Sequence, residues 1–147
     1  MYRPNISCII FRERFPGERE YLIVRKPRTN HAWQFPQGGI EPNEDVKNAA
    51  SRELKEELGT EKFEYLKKSS HVYFYKFPNS EKKDNYIGQK QVYYWIKFNG
   101  KDEDIKLNRN ELAEYSWVAE DKLAGYFESD EYIQKIYDVI DECGDIE

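Results

Sequence analysis

The stretch whose reading decides this fold is Gly38 to Thr60, GGIEPNEDVKNAASRELKEELGT. From Asp45 to Leu58 its interior lacks Gly and Pro and is rich in Ala, Leu, Lys and Glu, which predicts a helix. Asn43 is the expected N-cap, with Glu44 and Asp45 set favourably against the positive end of the helix dipole. Gly59 supplies the C-terminal stop. At about 100° per residue, with Val46 at the origin, Ala49, Ala50, Leu54 and Leu58 fall in one apolar arc from about 300° to about 120°. Glu53 at about 340° and Glu57 at about 20° stand in the middle of that arc, and Glu56 at about 280° stands at its edge. Lys47, Asn48, Ser51, Arg52 and Lys55 take the opposite, solvent-facing side.

Like charges three and four residues apart on a face turned to the core are unfavourable unless something compensates them. A divalent cation would do so directly. Mg²⁺ takes oxygen ligands, keeps several waters and shares its coordination with substrate phosphates. The other reading is a solvated edge on which the glutamates pair with Lys or Arg.

The rest of the chain narrows the choice. Its 147 residues are 39% hydrophobic and 16% aromatic, enough for one ordinary domain with a core rich in Tyr and Phe. No apolar run is long enough for a membrane span, and no secretory signal pattern is seen, so no membrane partner and a cytoplasmic location are expected. Cys8 and Cys143 lie at opposite ends of the chain, which argues against a disulfide framework. The net charge of -5 conceals an asymmetry. Residues 1–38 carry seven basic against three acidic residues, and residues 101–147 carry five against fifteen. A basic first third beside a carboxylate helix suits a polyphosphate whose cation sits on the acids. The acidic last third argues against broad nucleic-acid binding.

Ile6–Arg12 reads as a buried strand, Glu13–Arg19 with Pro16-Gly17 as a turn, and Glu20–Arg25 as an antiparallel partner. Pro27–His31 and Asn79–Tyr86 read as loops. Lys62–Phe77, Gln89–Phe98 and Tyr115–Val118 read as strands, with Val92, Tyr94 and Ile96 sharing a face. Asp130–Cys143 reads as a helix whose stripe of Tyr132, Ile136, Val139 and Ile140 packs on the core. Strands on both sides of the central helix, followed by a second helix, predict an α/β fold with a mixed sheet between helices.

The opening stretch resembles the Nudix box, G-x5-E-x7-R-E-U-x-E-E-x-G-U, where U is a bulky aliphatic residue. Gly38, Glu44, Arg52, Glu53, Leu54, Glu56, Glu57 and Gly59 each fall at the required spacing, and Thr60 alone departs. Tyr2–Asn5 (YRPN), Trp33–Gly39 (WQFPQGG) and Ile87–Gln91 (IGQKQ) are similar to segments of bacterial RNA pyrophosphohydrolases and of the related dinucleoside polyphosphate hydrolases. Tyr75–Pro78, Glu111, Trp117 and Val118 extend the likeness, which fades in the C-terminal tail.

The resemblance implies a single Nudix domain over residues 1–147, a Nudix-type α/β/α sandwich with a loop–helix–loop motif. It further implies Mg²⁺-dependent hydrolysis of a pyrophosphate bond, with Mn²⁺ as a substitute. Two substrates fit: the 5′ end of tri- or diphosphorylated RNA, favoured by WQFPQGG and IGQKQ, and a dinucleoside polyphosphate. In the family's pattern Glu53, Glu56 and Glu57 hold the metal together with the Gly38 carbonyl. Arg52 pairs with Glu44 and steadies the carboxylates. Glu111 joins the metal or takes a proton from water, with Glu114 as its competitor. Arg3, Arg25, Lys26, Arg28 and Lys90 are candidate phosphate contacts, each with a solvated surface role as its alternative. Tyr75 and Trp33 are candidates for stacking on a base, with core packing as the alternative. His31 and His71 lack partners at any metal spacing. An inactive Nudix-fold module would be expected to lack one or more of the three helix carboxylates, and all three are present. Oligomeric state is not legible.

Overall fold

Alternate residues of a single strand build two different cores, and that division organises the molecule. A computed structural model of the protein describes residues 1–27, 32–78 and 85–146. In β1 (Tyr2–Phe15), Ile6, Cys8 and Ile10 face one side of the sheet while Ile9 and Phe11 face the other. The first side packs against Ala49, Ala50, Leu54 and Leu58 of α1 (Val46–Leu58). The second packs against Ile136, Val139, Ile140 and Cys143 of α2 (Asp130–Cys143). The result is the expected helix–sheet–helix sandwich.

The other strands are β2 (Glu18–Arg25), β3 (Trp33–Gln34), β4 (Gln37–Gly39), β5 (Phe63–Lys76), β6 (Gly88–Phe98) and β7 (Glu114–Ala119). Their order is β3-β2-β1-β6-β5, with β4 paired to β1 and β7 to β2. The sheet is mixed because β1 and β6 run parallel from Tyr2↔Gly88 to Phe11↔Lys97, whereas the remaining pairs are antiparallel. Trp95 is the largest fully buried side chain; it stacks on Phe11 at 4.6 Å between centroids and donates its indole N–H to the Ile146 carbonyl at 3.0 Å. In β5 the register slips between Lys68 and Val72, and there Glu142 of α2 accepts from Ser69 Oγ, Ser70 Oγ and the Ser70 amide. Among the described residues no helix is long and apolar enough to cross a membrane.

Besides the turn expected over Glu13–Arg19, which narrows to Pro16-Gly17 because Glu13 pairs with Arg19 and Phe15 with Glu18, two local expectations change. First, β1 begins at Tyr2, not Ile6, because its polar first residues pair with β4 on one side and β6 on the other. Second, Asn43 does not cap α1. Its φ of 65° makes it the left-handed residue of a tight turn, and Asp45 is the cap, accepting from the Asn48 amide at 2.8 Å. The helix therefore starts at Val46, and Gly59 ends it in the left-handed conformation with φ 68°. Asp45→Ala is expected to cost about 1 kcal/mol in denaturant unfolding. Asn43→Gly, which suits a positive φ, is expected to cost nothing. Equal losses at the two positions would contradict this assignment.

Candidate active site

Each carboxylate of the central helix is placed by a different device. Strand β4 lies against β1 with Ile6 opposite Gly38, and the hydrogen bond from the Ile40 amide to the Pro4 carbonyl (3.1 Å) continues that pairing. Gly38 therefore faces α1. A Cβ there would overlap the carboxyl group of Glu53, so only glycine lets that side chain lie flat on the strand. The next residue, Gly39, is opposite Asn5, and a Cβ on it would meet only the end of the Arg3 guanidinium at 2.6 Å.

Arg52 ties the loop to the helix. Its guanidinium donates to both oxygens of Glu44 (2.9 and 3.0 Å), to Glu53 Oε1 (2.9 Å) and to the Gly39 carbonyl (2.9 Å). Glu44 also accepts from the Glu41 amide at 2.9 Å. The Arg52 hydrogen bonds, then that amide, hold the Glu44 carboxyl down to about 2, well below the usual carboxylate range. The pairing expected between Arg52 and Glu44 is thus present, and its geometry is bidentate.

Glu57 is the anomaly. It is only 5% exposed, and its Oε1 has no hydrogen-bond partner. Burial first, then the charge of Glu53, push its carboxyl up to about 8; Lys26 opposes the shift, and Glu111 and Glu56 add to it. Glu53 is also raised by burial, against the pull of Arg52. Glu56 is exposed at the rim.

Glu111 reaches this group because its loop is stitched to the end of α1. The Lys106 amide donates to the Leu58 carbonyl (2.8 Å) and the Asn108 amide to the Glu57 carbonyl (2.9 Å). Glu111 and Leu112 then bond back to the Asn108 carbonyl at 2.9 Å each. Glu114, its competitor, points elsewhere. It pairs across the sheet with Arg25 and accepts from Arg25 Nε at 2.8 Å. That contact also engages Arg25, one of the expected phosphate ligands.

Among the described residues, no three acidic, histidine or cysteine side chains are closed around a common point as they stand. The donor set nevertheless fits a hard divalent cation. It offers oxygen ligands only, one of them a buried carboxylate oxygen without a partner, beside a strand where glycine leaves room for Glu53.

The pH dependence follows from Glu57. A carboxyl with a folded pKa of about 8 against an ordinary 4.5 prefers its protonated form when folded. Metal-free protein should therefore be most stable below its unfolded pKa and lose stability as pH rises toward 8. Glu44, shifted the opposite way, contributes above its unfolded pKa and loses that contribution as pH falls toward 2. Thermal melts in chelator should show the first slope, and Glu57→Gln should flatten it. Cation affinity should climb over the same interval as the proton is displaced.

On the other face of the sheet, a cavity of about 340 Å³ opens between β3, β5, β6 and the start of α2. Trp33, Tyr73, Tyr75, Phe127 and Tyr132 supply its aromatic walls, and Gln34, Gln37, Gln89 and Gln91 its polar lining. Tyr75, 44% exposed, thus stands where a base could stack, with Trp33 in the same wall. Tyr132 packs against the core with the rest of its stripe, as expected, and is a cavity wall as well. The four glutamines were not singled out from sequence. The available signal was Gln89 and Gln91 alternating on the face that carries Tyr93 and Trp95.

Arg3 lies on the cavity face beside Gly39, and Lys90 is exposed on the α1 face opposite Pro4 and Phe74. Lys26 is close enough to Glu57 to lower its pKa. Arg28 and His31 lie outside the described residues. Cys8 and Cys143 are free and buried. Thr60, the one departure from the box, is buried beyond the helix end and accepts from the Lys62 amide at 3.2 Å.

The NUDIX domain family model matches residues 1–139. An RNA pyrophosphohydrolase of Campylobacter jejuni is 37% identical over 121 residues, covering 80% of this chain and 78% of that protein. One from Wolbachia pipientis is 34% identical over 129 residues, covering 83% and 77%. Among solved structures, a C. elegans Ap4A hydrolase in a binary complex superposes with a TM-score of 0.71 at 25% identity, covering 95% of this chain and 98% of the other.

Proposed function

This chain belongs to the NUDIX domain family, and on that premise we propose that it is a pyrophosphohydrolase acting on the 5′ end of tri- or diphosphorylated RNA. The observation that carries the reading is the buried, unpartnered Glu57 oxygen among Glu53, Glu56 and Glu111. The substrate class is supported by the similarity to RNA pyrophosphohydrolases over four-fifths of the chain.

In this reading Glu53, Glu56, Glu57 and the Gly38 carbonyl hold Mg²⁺, for which Mn²⁺ substitutes, and Glu111 faces the same group. A cation held there would supply the charge that neutralises phosphate oxygens and lowers the pKa of neighbouring water. Arg52, held by Glu44, fixes the Glu53 carboxylate so that little reorganisation accompanies reaction. Water attacks phosphorus, Glu111 accepts its proton, and the anhydride P–O bond breaks with its electrons on the leaving phosphate. Lys26, Arg3 and Lys90 contact the phosphates, and Arg28 is a further candidate on sequence alone. Tyr75 and Trp33 stack on the nucleoside in the 340 Å³ cavity. The two free, buried thiols suit a reducing cytoplasm.

A dinucleoside polyphosphate is the second reading, favoured by the Ap4A hydrolase neighbour and by an aromatic cavity able to take a nucleoside. The two are separated by side-by-side rates on 5′-triphosphorylated RNA and diadenosine tetraphosphate with Mg²⁺. Faster release of pyrophosphate or phosphate from RNA is expected. A much faster rate on the dinucleotide would reverse the assignment.

A further inference from the structure

The carboxylate group and the aromatic cavity lie on opposite faces of the sheet, yet one short strand touches both. In β4, Gln37 faces the cavity and Gly38 faces Glu53. What holds Gln37 is a buried side chain that also contributes to the cavity lining. Gln91, 6% exposed, donates its amide to Asn5 Oδ1 at 3.0 Å and also to Gln37 Oε1, and accepts from the Tyr93 hydroxyl at 3.1 Å. Gln37 donates onward to Gln34 Oε1 at 2.7 Å. The register makes this connection tight, because Asn5 is opposite both Gln91 in β6 and Gly39 in β4. The row Asn5–Gln91–Gln37–Gln34 therefore runs from the backbone partner of Gly39 to the cavity lining.

We propose that Gln91 is a positioning residue that couples occupancy of the aromatic cavity to the carboxylate site, through Gln37 and strand β4. The inference rests on the cavity being the seat of the substrate's nucleoside. An amide network anchored on the buried Asn5 and Gln91 favours one arrangement, and loosening it frees the strand that bears Gly38. A nucleoside pressing on Gln34 and Gln37 then biases the backbone beside Glu53, so that binding energy gained on one face acts on turnover at the other. An apolar residue at position 91 would leave Asn5 and Gln37 without their shared donor.

The test uses the full chain and three variants. On 5′-triphosphorylated RNA, Gln91→Leu should lower kcat about tenfold, the worth of one or two such hydrogen bonds. Tyr93→Phe removes only the hydroxyl at the end of the network away from β4, so it should lower the melting temperature and leave kcat unchanged. If Gln91→Leu fails to fold, Gln37→Met cuts the same link from the other side and should show the same loss of kcat. A second measurement needs no turnover: Mn²⁺ affinity with and without millimolar adenosine or guanosine. The nucleoside should tighten Mn²⁺ binding severalfold in wild type and not in Gln91→Leu or Gln37→Met. Unchanged kcat in the link variants, an equal kcat loss in Tyr93→Phe, or no nucleoside effect in wild type would each overturn the proposal. Absence of RNA hydrolysis by wild type, with the nucleoside effect on Mn²⁺ intact, would instead count against the proposed function alone and would support the coupling.

Discussion

Glu57→Gln is expected to lower turnover on the order of 10³-fold, a several-kcal/mol loss of charge stabilisation. The fold should survive it, and in chelator at pH 8 the variant should melt higher than wild type. The reason lies in the burial of this side chain at 5% exposure with one oxygen unpaired. In the absence of a cation, an ionised carboxylate there faces Glu53, Glu56 and Glu111, with Lys26 in opposition. An amide of the same shape relieves that repulsion and forfeits the ligand. A residue retained for packing alone would show no such division between lost activity and gained stability. The checks are phosphate release under Mg²⁺ and a thermal melt in chelator. An unchanged rate would remove Glu57 from the metal set.

The second large effect is expected at Gly38. Gly38→Ala puts a methyl group where the Glu53 carboxyl now lies, against a backbone that β1 holds in register. Glu53 must then swing away, which also breaks its 2.9 Å contact with Arg52. A displacement of this kind near reacting groups costs on the order of 10²-fold in rate. Gly39→Ala is the matched control for kcat: its methyl meets the end of the flexible Arg3 side chain, a proposed phosphate contact, so its effect should fall on KM. A loss confined to position 38, read as kcat on RNA with melting temperatures alongside, is the predicted pattern. Equal losses at both glycines would mean that the strand tolerates no side chain at all, and that Glu53 is not what Gly38 makes room for.

Much of the site was legible because helical geometry is regular. The misplacement of Glu53 and Glu57 on an apolar arc followed from periodicity alone, and the structure buries Glu57 among Ala49, Ala50, Leu54 and Leu58 as that arc requires. The pairing of Arg52 with Glu44 followed from the likeness to the Nudix box, not from spacing. The N-cap was misjudged because Asn43 and Asp45 are both good caps by residue type, and only backbone conformation separates them: a left-handed φ at Asn43, an extended one at Asp45. Strand β4 was not legible as a strand. Three residues carry too little pattern, and the pairing that defines them comes from β1, thirty or more positions away in sequence.

The competition between Glu111 and Glu114 could not be decided from sequence either, because both lie in one polar loop. The geometry favours Glu111, because β7 carries Glu114 across to Arg25 while the Asn108 turn returns Glu111 toward α1. The same pairing explains why Arg25 faces a carboxylate when a phosphate contact was expected. The cavity was hidden for another reason. Its walls come from β3, β5, β6 and α2, and no single segment holds enough of it to form a motif.

Everything here turns on whether the charged face of α1 exists to hold a divalent cation. The most direct measurement is calorimetric titration of Mg²⁺ and Mn²⁺ into substrate-free protein at pH 8, comparing wild type with Glu57→Gln. Wild type should bind with proton release, and the variant should lose most of its affinity while its melting temperature in chelator rises. Equal binding by the two proteins, or no binding by wild type, would contradict the account.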